Sequence, residues 1–143
     1  IALPLYAANP DTGIKEFGKN KKLHLFDPFL WHLCEEWCMQ AIERKNEVIA
    51  EACVATHVAR FLFEKQGGRR FSDFISYWKN GYEIDVVAHT NKGLLGFEIK
   101  WSDKENAFAF KAGPIKNLTY VSKGFFRKEK PAVIPIALFL AML

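Results

Sequence analysis

The stretch Tyr82-Glu83-Ile84-Asp85-Val86-Val87-Ala88-His89-Thr90-Asn91-Lys92-Gly93-Leu94-Leu95-Gly96-Phe97-Glu98-Ile99-Lys100-Trp101 decides how the rest of the chain is read. Two runs in which apolar residues alternate with charged ones flank Asn91-Lys92-Gly93, a short turn signal, so a β-hairpin is expected. With the turn centred between Asn91 and Lys92, Asp85 falls opposite Glu98 and Glu83 opposite Lys100. Residues two apart on a strand share a face. Glu83, Asp85, Glu98 and Lys100 therefore project together, while Ile84, Val86, Phe97 and Ile99 project the other way, into a core. A slip of one residue on one strand would split the charged set, so the pattern specifies its own register.

Such a face is electrostatically costly. Two carboxylates about 5 Å apart repel by roughly 3 kcal/mol at an effective dielectric near 20, and one lysine does not neutralise three acids. A hard divalent cation would, since Mg²⁺ prefers carboxylate oxygens. A solvated antiparallel face, screened by water and binding no metal, gives the same alternation. The neighbouring segments decide between the two.

Upstream, Glu47 to Glu64 reads as a helix closed by Gly67-Gly68, with Glu51, Val54, Val58, Phe61 and Leu62 on one stripe. A carboxylate on a packed stripe is costly to bury alone. Glu51 either reaches solvent at the edge of the stripe or points into a site shared with Asp85 and Glu98. Glu47 lies near the helix N-terminus, where an acid needs no special reason. Phe74-Ile75-Ser76-Tyr77-Trp78 reads as a strand turned by Lys79-Asn80-Gly81. Further upstream, a strand is expected around Leu3–Ala8, and Lys19-Asn20-Lys21-Lys22 reads as a solvated linker or a phosphate contact. Leu23–Phe26 is a possible short strand. Asp27-Pro28 starts a helix whose Leu30, Leu33, Cys34, Trp37, Cys38 and Ala41 pack into the core until Arg44-Lys45-Asn46.

Downstream of the hairpin, Ser102-Asp103 is expected to cap a helix running to about Lys111, broken by Gly113-Pro114. Leu118–Ser122 is the next strand, Lys123–Lys130 a basic, partly helical connection, and the run from Val133 to Leu143 a buried closing strand. That last run is far below the ~20 residues of a membrane helix, so no membrane contact is expected. The segment order from Glu47 is thus α-β-β-β-α-β with one further strand.

With 143 residues, half of them hydrophobic, the chain suits one globular domain. Acids and bases balance up to Lys100, so the net charge of +4 lies in the tail; a basic excess beside an acidic cluster suits a polyanion held near a metal, and equally ordinary solubility. Cys34, Cys38 and Cys53 form no CxxC pair and lie in apolar helical runs, which points to buried reduced thiols and a cytoplasmic setting. The start at Ile1 within an apolar stretch reads as a segment of something longer. Residues 1–26 are taken as an N-terminal linker and strand, and 27–143 as the α/β domain, with its core at 47–143.

Asp85 followed across a hairpin by Glu98-Ile99-Lys100, after a helix carrying Glu51, resembles the PD-(D/E)xK nuclease superfamily. The resemblance implies a restriction-endonuclease-like αβββαβ core with a central mixed sheet flanked by helices. More narrowly, Lys22-Leu23-His24-Leu25-Phe26-Asp27-Pro28-Phe29, Tyr77-Trp78, Phe97-Glu98-Ile99-Lys100-Trp101 and Phe139-Leu140-Ala141 resemble the C-terminal domain of archaeal AAA-type ATPases of uncharacterised role. In that family a nucleotide-binding half lies upstream. This chain has no GxxxxGK[ST] loop, so ATP binding is not assigned to it. Carried over, Asp85 and Glu98 are the implied ligands of Mg²⁺ (or Mn²⁺), with the Ile99 carbonyl third and Glu51 direct or through water. Lys100 is implied to hold the attacking water or steady the transition state. DNA and the upstream ATPase domain are the implied partners, a homo-oligomer is possible, and the activity would be phosphodiester hydrolysis. The alternative is a catalytically silent DNA- or protein-binding module. Two departures stand out: Glu83 is drawn opposite Lys100 and would tie it up, and Lys104, Lys111 and Lys116 stand where some relatives carry a glutamine.

Overall fold

The hairpin forms in the expected register, from Thr90↔Gly93 to Val86↔Phe97, in a computed structural model that describes residues 2–9, 11–43, 45–80, 82–108 and 115–143. Its strands are β4 (Tyr82–Thr90) and β5 (Gly93–Lys100), preceded by β3 (Ile75–Asn80) and by the long helix α2 (Lys45–Gln66). At the N-terminal end lie β1 (Ala2–Ala8), β2 (Lys15–Leu25) and α1 (Phe29–Cys38). At the C-terminal end lie β6 (Leu118–Ser122), β7 (Val133–Pro135) and α3 (Ile136–Ala141). All seven strands form one mixed sheet, in the order β2-β1-β3-β4-β5-β6-β7. β1 runs parallel to β3, and β5, β6 and β7 are mutually parallel, whereas β1–β2, β3–β4 and β4–β5 are antiparallel. The described residues therefore form a mixed α/β domain, with a seven-stranded sheet and three α-helices among them.

α2 forms for the reason its stripe suggests. Val54, Val58 and Leu62 are buried against Leu3, Leu5, Ile75, Val86, Phe97 and Ile99 of the sheet, and Gly67 closes the helix at φ +66°. A left-handed residue there is free of steric cost only for glycine. α3 lies beside α2, its Phe139 ring edge-on to Phe97 at 5.1 Å between centroids. The other sheet face carries two smaller clusters, Trp78, Ile84, Val87 and Ile115, and Phe108, Tyr120 and Val133.

Several expectations are corrected. Lys19–Lys22 lies within β2 rather than in a linker: residues 21–25 and 15–16 pair with β1, and 17–20 form an irregularity between the two paired stretches. α1 ends at Cys38, not near Lys45: Met39 turns left-handed at φ 50° and the Gln40 amide donates back to the Glu35 carbonyl at 3.3 Å. α1 also buries no residue, and Trp37 is 79% exposed, so helical apolar spacing here does not mean core. Cys34 and Cys38 are accordingly exposed free thiols, and Cys53 is half-buried. Ile84 is buried, but in the cluster away from α2, separated from Val86 and Ile99. The helix expected from Ser102 is a single 3₁₀ turn, Glu105–Ala107; Lys111 and Gly113-Pro114 lie outside the described residues. Lys123–Lys130 contains no helix. The closing strand stops at Pro135 and continues as α3, since a short apolar run of Ala, Leu and Phe does not distinguish strand from helix by periodicity.

Leu5 on β1 is fully buried under α2. Leu5→Ala should cost about 3 kcal/mol in urea denaturation, whereas Trp37→Ala should change stability by no more than about 0.5 kcal/mol. Equal effects would show that β1 is not an integral part of the core.

Candidate active site

The site begins with a break in the β3–β4 ladder. Ser76 faces Val87 but Trp78 faces Ile84, so Asp85 and Val86 together stand opposite Tyr77. A bulge of this kind leaves one residue unpaired and re-aims its side chain. Asp85 is turned into the interior, 8% exposed, and its Oδ2 accepts the Ile99 amide N–H at 2.8 Å. The carboxylate thus takes the amide of β5 at the point where the β4–β5 ladder ends. The bulge also divides the hairpin's acids, so they do not form one flat charged face.

Glu83 and Asp85 meet Glu51 of α2 around the ammonium of Lys22. Lys22 Nζ lies 2.6 Å from Glu51 Oε1 and 3.1 Å from Asp85 Oδ1, and is also ion-paired with Glu83. Lys79 holds the second Glu83 oxygen at 3.0 Å. Glu98 pairs instead with Lys100, at 2.8 Å. The expected Glu83–Lys100 pairing is therefore replaced: Glu83 is held by two other lysines and Lys100 is left to Glu98. Of the expected site residues, Glu51 and Asp85 are brought together by one lysine. Glu98 and Lys100 form an adjoining pair within the electrostatic reach of Asp85. Among the described residues no three His, Cys, Asp or Glu side chains are spaced to hold a metal as they stand; the Lys22 ammonium lies between the acids.

Lys22 is the residue that sequence reasoning missed as part of the site, together with His24. The sign of it lies in strand pairing, which the sequence does not display: on β2 they stand opposite Leu5 and Leu3, both fully buried, and directly opposite residues share a face. A lysine and a histidine set against two buried leucines are inward polar residues. His24 is buried, its Nε2 3.4 Å from Glu51 Oε1, yet neither ring nitrogen makes a hydrogen bond to a described residue. Trp78 is a core residue and Trp101 is half-buried against the α2 cluster.

The charge balance of this cluster is tight. Among the described residues, the carboxyls of Glu51, Glu83, Asp85 and Glu98 are ion-paired with three lysines, Lys22, Lys79 and Lys100. Burial first, and the Asp85 charge second, push the Glu51 and Glu98 carboxyls up to about 7. Glu98 Oε2 is buried, with no hydrogen-bond partner among the described residues. Burial opposes the charge on Lys22, but Asp85 and Glu51 outweigh it and raise its pKa. Burial works against ionised Glu83 as well, yet the hydrogen bond and charge of Lys22 bring its pKa down. His24, with burial and Lys22 both acting against its protonation, falls to about 4 and is neutral near pH 7.

The fold and this site define a class: a mixed α/β domain with a lysine-bridged acidic cluster at a strand bulge. Residues 34–111 match the DUF234 family, described as archaea bacterial proteins of unknown function, and the chain belongs to that family. Among curated proteins and solved structures, none matches the chain significantly. No helix of the described residues is long and apolar enough to cross a membrane.

The Glu98 shift has a measurable sign. The folded carboxyl keeps its proton up to about pH 7, whereas the unfolded one loses it near 4.5, so Glu98 removes stability as pH rises through that window. Relative to wild type, Glu98→Gln should therefore gain on the order of 2 kcal/mol between about pH 4.5 and 7.5 in chemical denaturation. A pH-independent difference would show that Glu98 is not held in a desolvated position.

Proposed function

We propose that this chain is a metal-dependent nuclease-type domain, built on a restriction-endonuclease-like core, that hydrolyses phosphodiester bonds in DNA. The observation that carries the reading is the buried Oε2 of Glu98, without a hydrogen-bond partner among the described residues and within the electrostatic reach of Asp85. The donor set is all carboxylate oxygen, which suits Mg²⁺ or Mn²⁺. Asp85 Oδ1, Glu98 Oε2, the Ile99 carbonyl and Glu51 are the proposed ligands. The cation would supply a more acidic bound water and neutralise charge growing on the phosphate oxygens.

The remaining roles belong to the chain's own side chains. Asp85 is anchored through Oδ2 to the Ile99 amide, which leaves Oδ1, now paired with Lys22, as the oxygen that could turn to a cation. Lys100, about one-third exposed, can turn from Glu98 towards a phosphate and serve as its point charge. It would orient the attacking water or stabilise the pentacovalent phosphorus. Linkage to an upstream ATPase domain and a cytoplasmic setting belong to the same proposal.

One observation favours the second reading, a catalytically silent DNA- or protein-binding module. The Lys22 ammonium already bridges three of the acids, so the cluster is partly neutralised without a metal. The test is cleavage of supercoiled, linear and branched DNA in Mg²⁺ or Mn²⁺, with Mn²⁺ affinity measured in parallel. Wild type should cleave, and Asp85→Ala and Lys100→Ala should each lose at least about 100-fold. DNA binding without cleavage would favour the silent module. Equal Mn²⁺ affinity in wild type and Asp85→Ala would remove the proposed metal site.

A further inference from the structure

Lys22 holds the centre of the cluster from an unusual segment. Between the pairs Tyr6↔Lys21 and Ala7↔Glu16, β2 carries four residues that β1 does not match: Phe17, Gly18, Lys19 and Asn20. All of residues 17–21 are exposed, Phe17 by 66%, while the Asn20 carbonyl accepts the Tyr77 hydroxyl. The Phe17 ring stands edge-on to Tyr6 at 4.8 Å, and Lys21 Nζ lies over the same Tyr6 ring at 5.5 Å. An exposed aromatic among lysines is the composition of a strip that stacks a base and tracks a phosphate backbone. The next residue after this strip is Lys22, whose ammonium enters the acidic cluster.

Two further observations show polar atoms in the cluster that Lys22 does not satisfy. Among the described residues, the buried His24 ring points its Nε2 at Glu51 without a hydrogen bond, and Glu98 Oε2 has no hydrogen-bond partner.

We propose that Lys22 is an exchangeable counter-ion: it is held between Glu51, Glu83 and Asp85 in the resting chain, and is drawn onto a nucleic-acid backbone docked along Phe17–Lys21, which frees Glu51 and Asp85 for the divalent ion. This deepens the nuclease-type reading and rests on it. Lys22 and a divalent cation compete for Glu51 Oε1 and Asp85 Oδ1, the oxygens Lys22 now holds at 2.6 and 3.1 Å. A lysine ammonium on its flexible stem serves a phosphate as readily as a carboxylate. Nucleic acid and metal then promote each other's binding, because each favours the arrangement with Lys22 withdrawn.

The test measures Mn²⁺ binding to the DNA-free chain by electron paramagnetic resonance, for wild type, Lys22→Met, Lys22→Gln and Asp85→Ala. The glutamine variant keeps a hydrogen-bond donor, so folding of the cluster does not hinge on the methionine variant alone. Both Lys22 variants should bind Mn²⁺ about 10-fold tighter than wild type, and their melting temperature, lowered in EDTA, should recover with Mn²⁺. In anisotropy titrations with a labelled single-stranded oligodeoxynucleotide, Mn²⁺ should raise wild-type affinity, and this coupling should shrink in Lys22→Gln. Phe17→Ala combined with Lys21→Gln should weaken the oligonucleotide without changing Mn²⁺ affinity. If Asp85→Ala abolishes Mn²⁺ binding while both Lys22 variants equal wild type, the metal site stands and the exchange is overturned. If the coupling is the same in wild type and Lys22→Gln, or the Phe17/Lys21 variant binds the oligonucleotide as well as wild type, the exchange or the strip is overturned. No Mn²⁺ binding by any of them overturns both readings.

Discussion

The two oxygens of Asp85 join parts of the chain that are far apart in sequence. One accepts the Ile99 amide of β5, and the other meets the lysine that also binds Glu51 of α2 and comes from β2. A buried carboxylate tolerates its position only when its lone pairs are satisfied. Asp85 therefore links the N-terminal hairpin, the long helix and the central hairpin to one another. The apolar core beneath, from Leu3 and Leu5 through Val54 and Val86 to Ile99, supplies the bulk of the burial and brings these elements within reach.

The bulge that turns Asp85 inward also explains the division of labour among the acids. With unbroken alternation, Glu83, Asp85, Glu98 and Lys100 would lie on one wet face and repel through water. With Asp85 and Val86 both opposite Tyr77, Asp85 joins Glu83 and Glu51 around Lys22, while Glu98 is left to Lys100. The result is two adjoining clusters of different character. The first is closed by three ion pairs to one ammonium. The second carries a carboxyl that burial and Asp85 hold up near 7, with one oxygen unsatisfied by any described residue.

A lysine occupying the centre of an acidic site has two physical consequences. It stabilises the folded chain in the absence of any other cation, because four acids of this depth would not stay ionised unaided. It also sets what an incoming divalent ion must displace. A structural counter-ion and a site of chemistry are compatible in the same residues when the counter-ion sits on a flexible side chain at the end of an exposed segment, as Lys22 does.

What the amino-acid sequence determined by itself was local. The alternation from Glu83 to Lys100 set the hairpin and its register, which the ladder from Thr90↔Gly93 to Val86↔Phe97 reproduces; the stripe from Glu51 to Leu62 set α2, and Gly67 its end. These signals are legible because backbone periodicity is a property of neighbouring residues. Only the tertiary structure decided that α1 buries no residue fully and that the last apolar run turns helical after Pro135. It alone decided that Ile84 and Val86 belong to different cores, and that Lys22 and His24 face inward from β2. The reason is common to all four: burial, a bulge's position and an ion pair's partner depend on which distant segment packs against a residue, and periodicity carries no record of that.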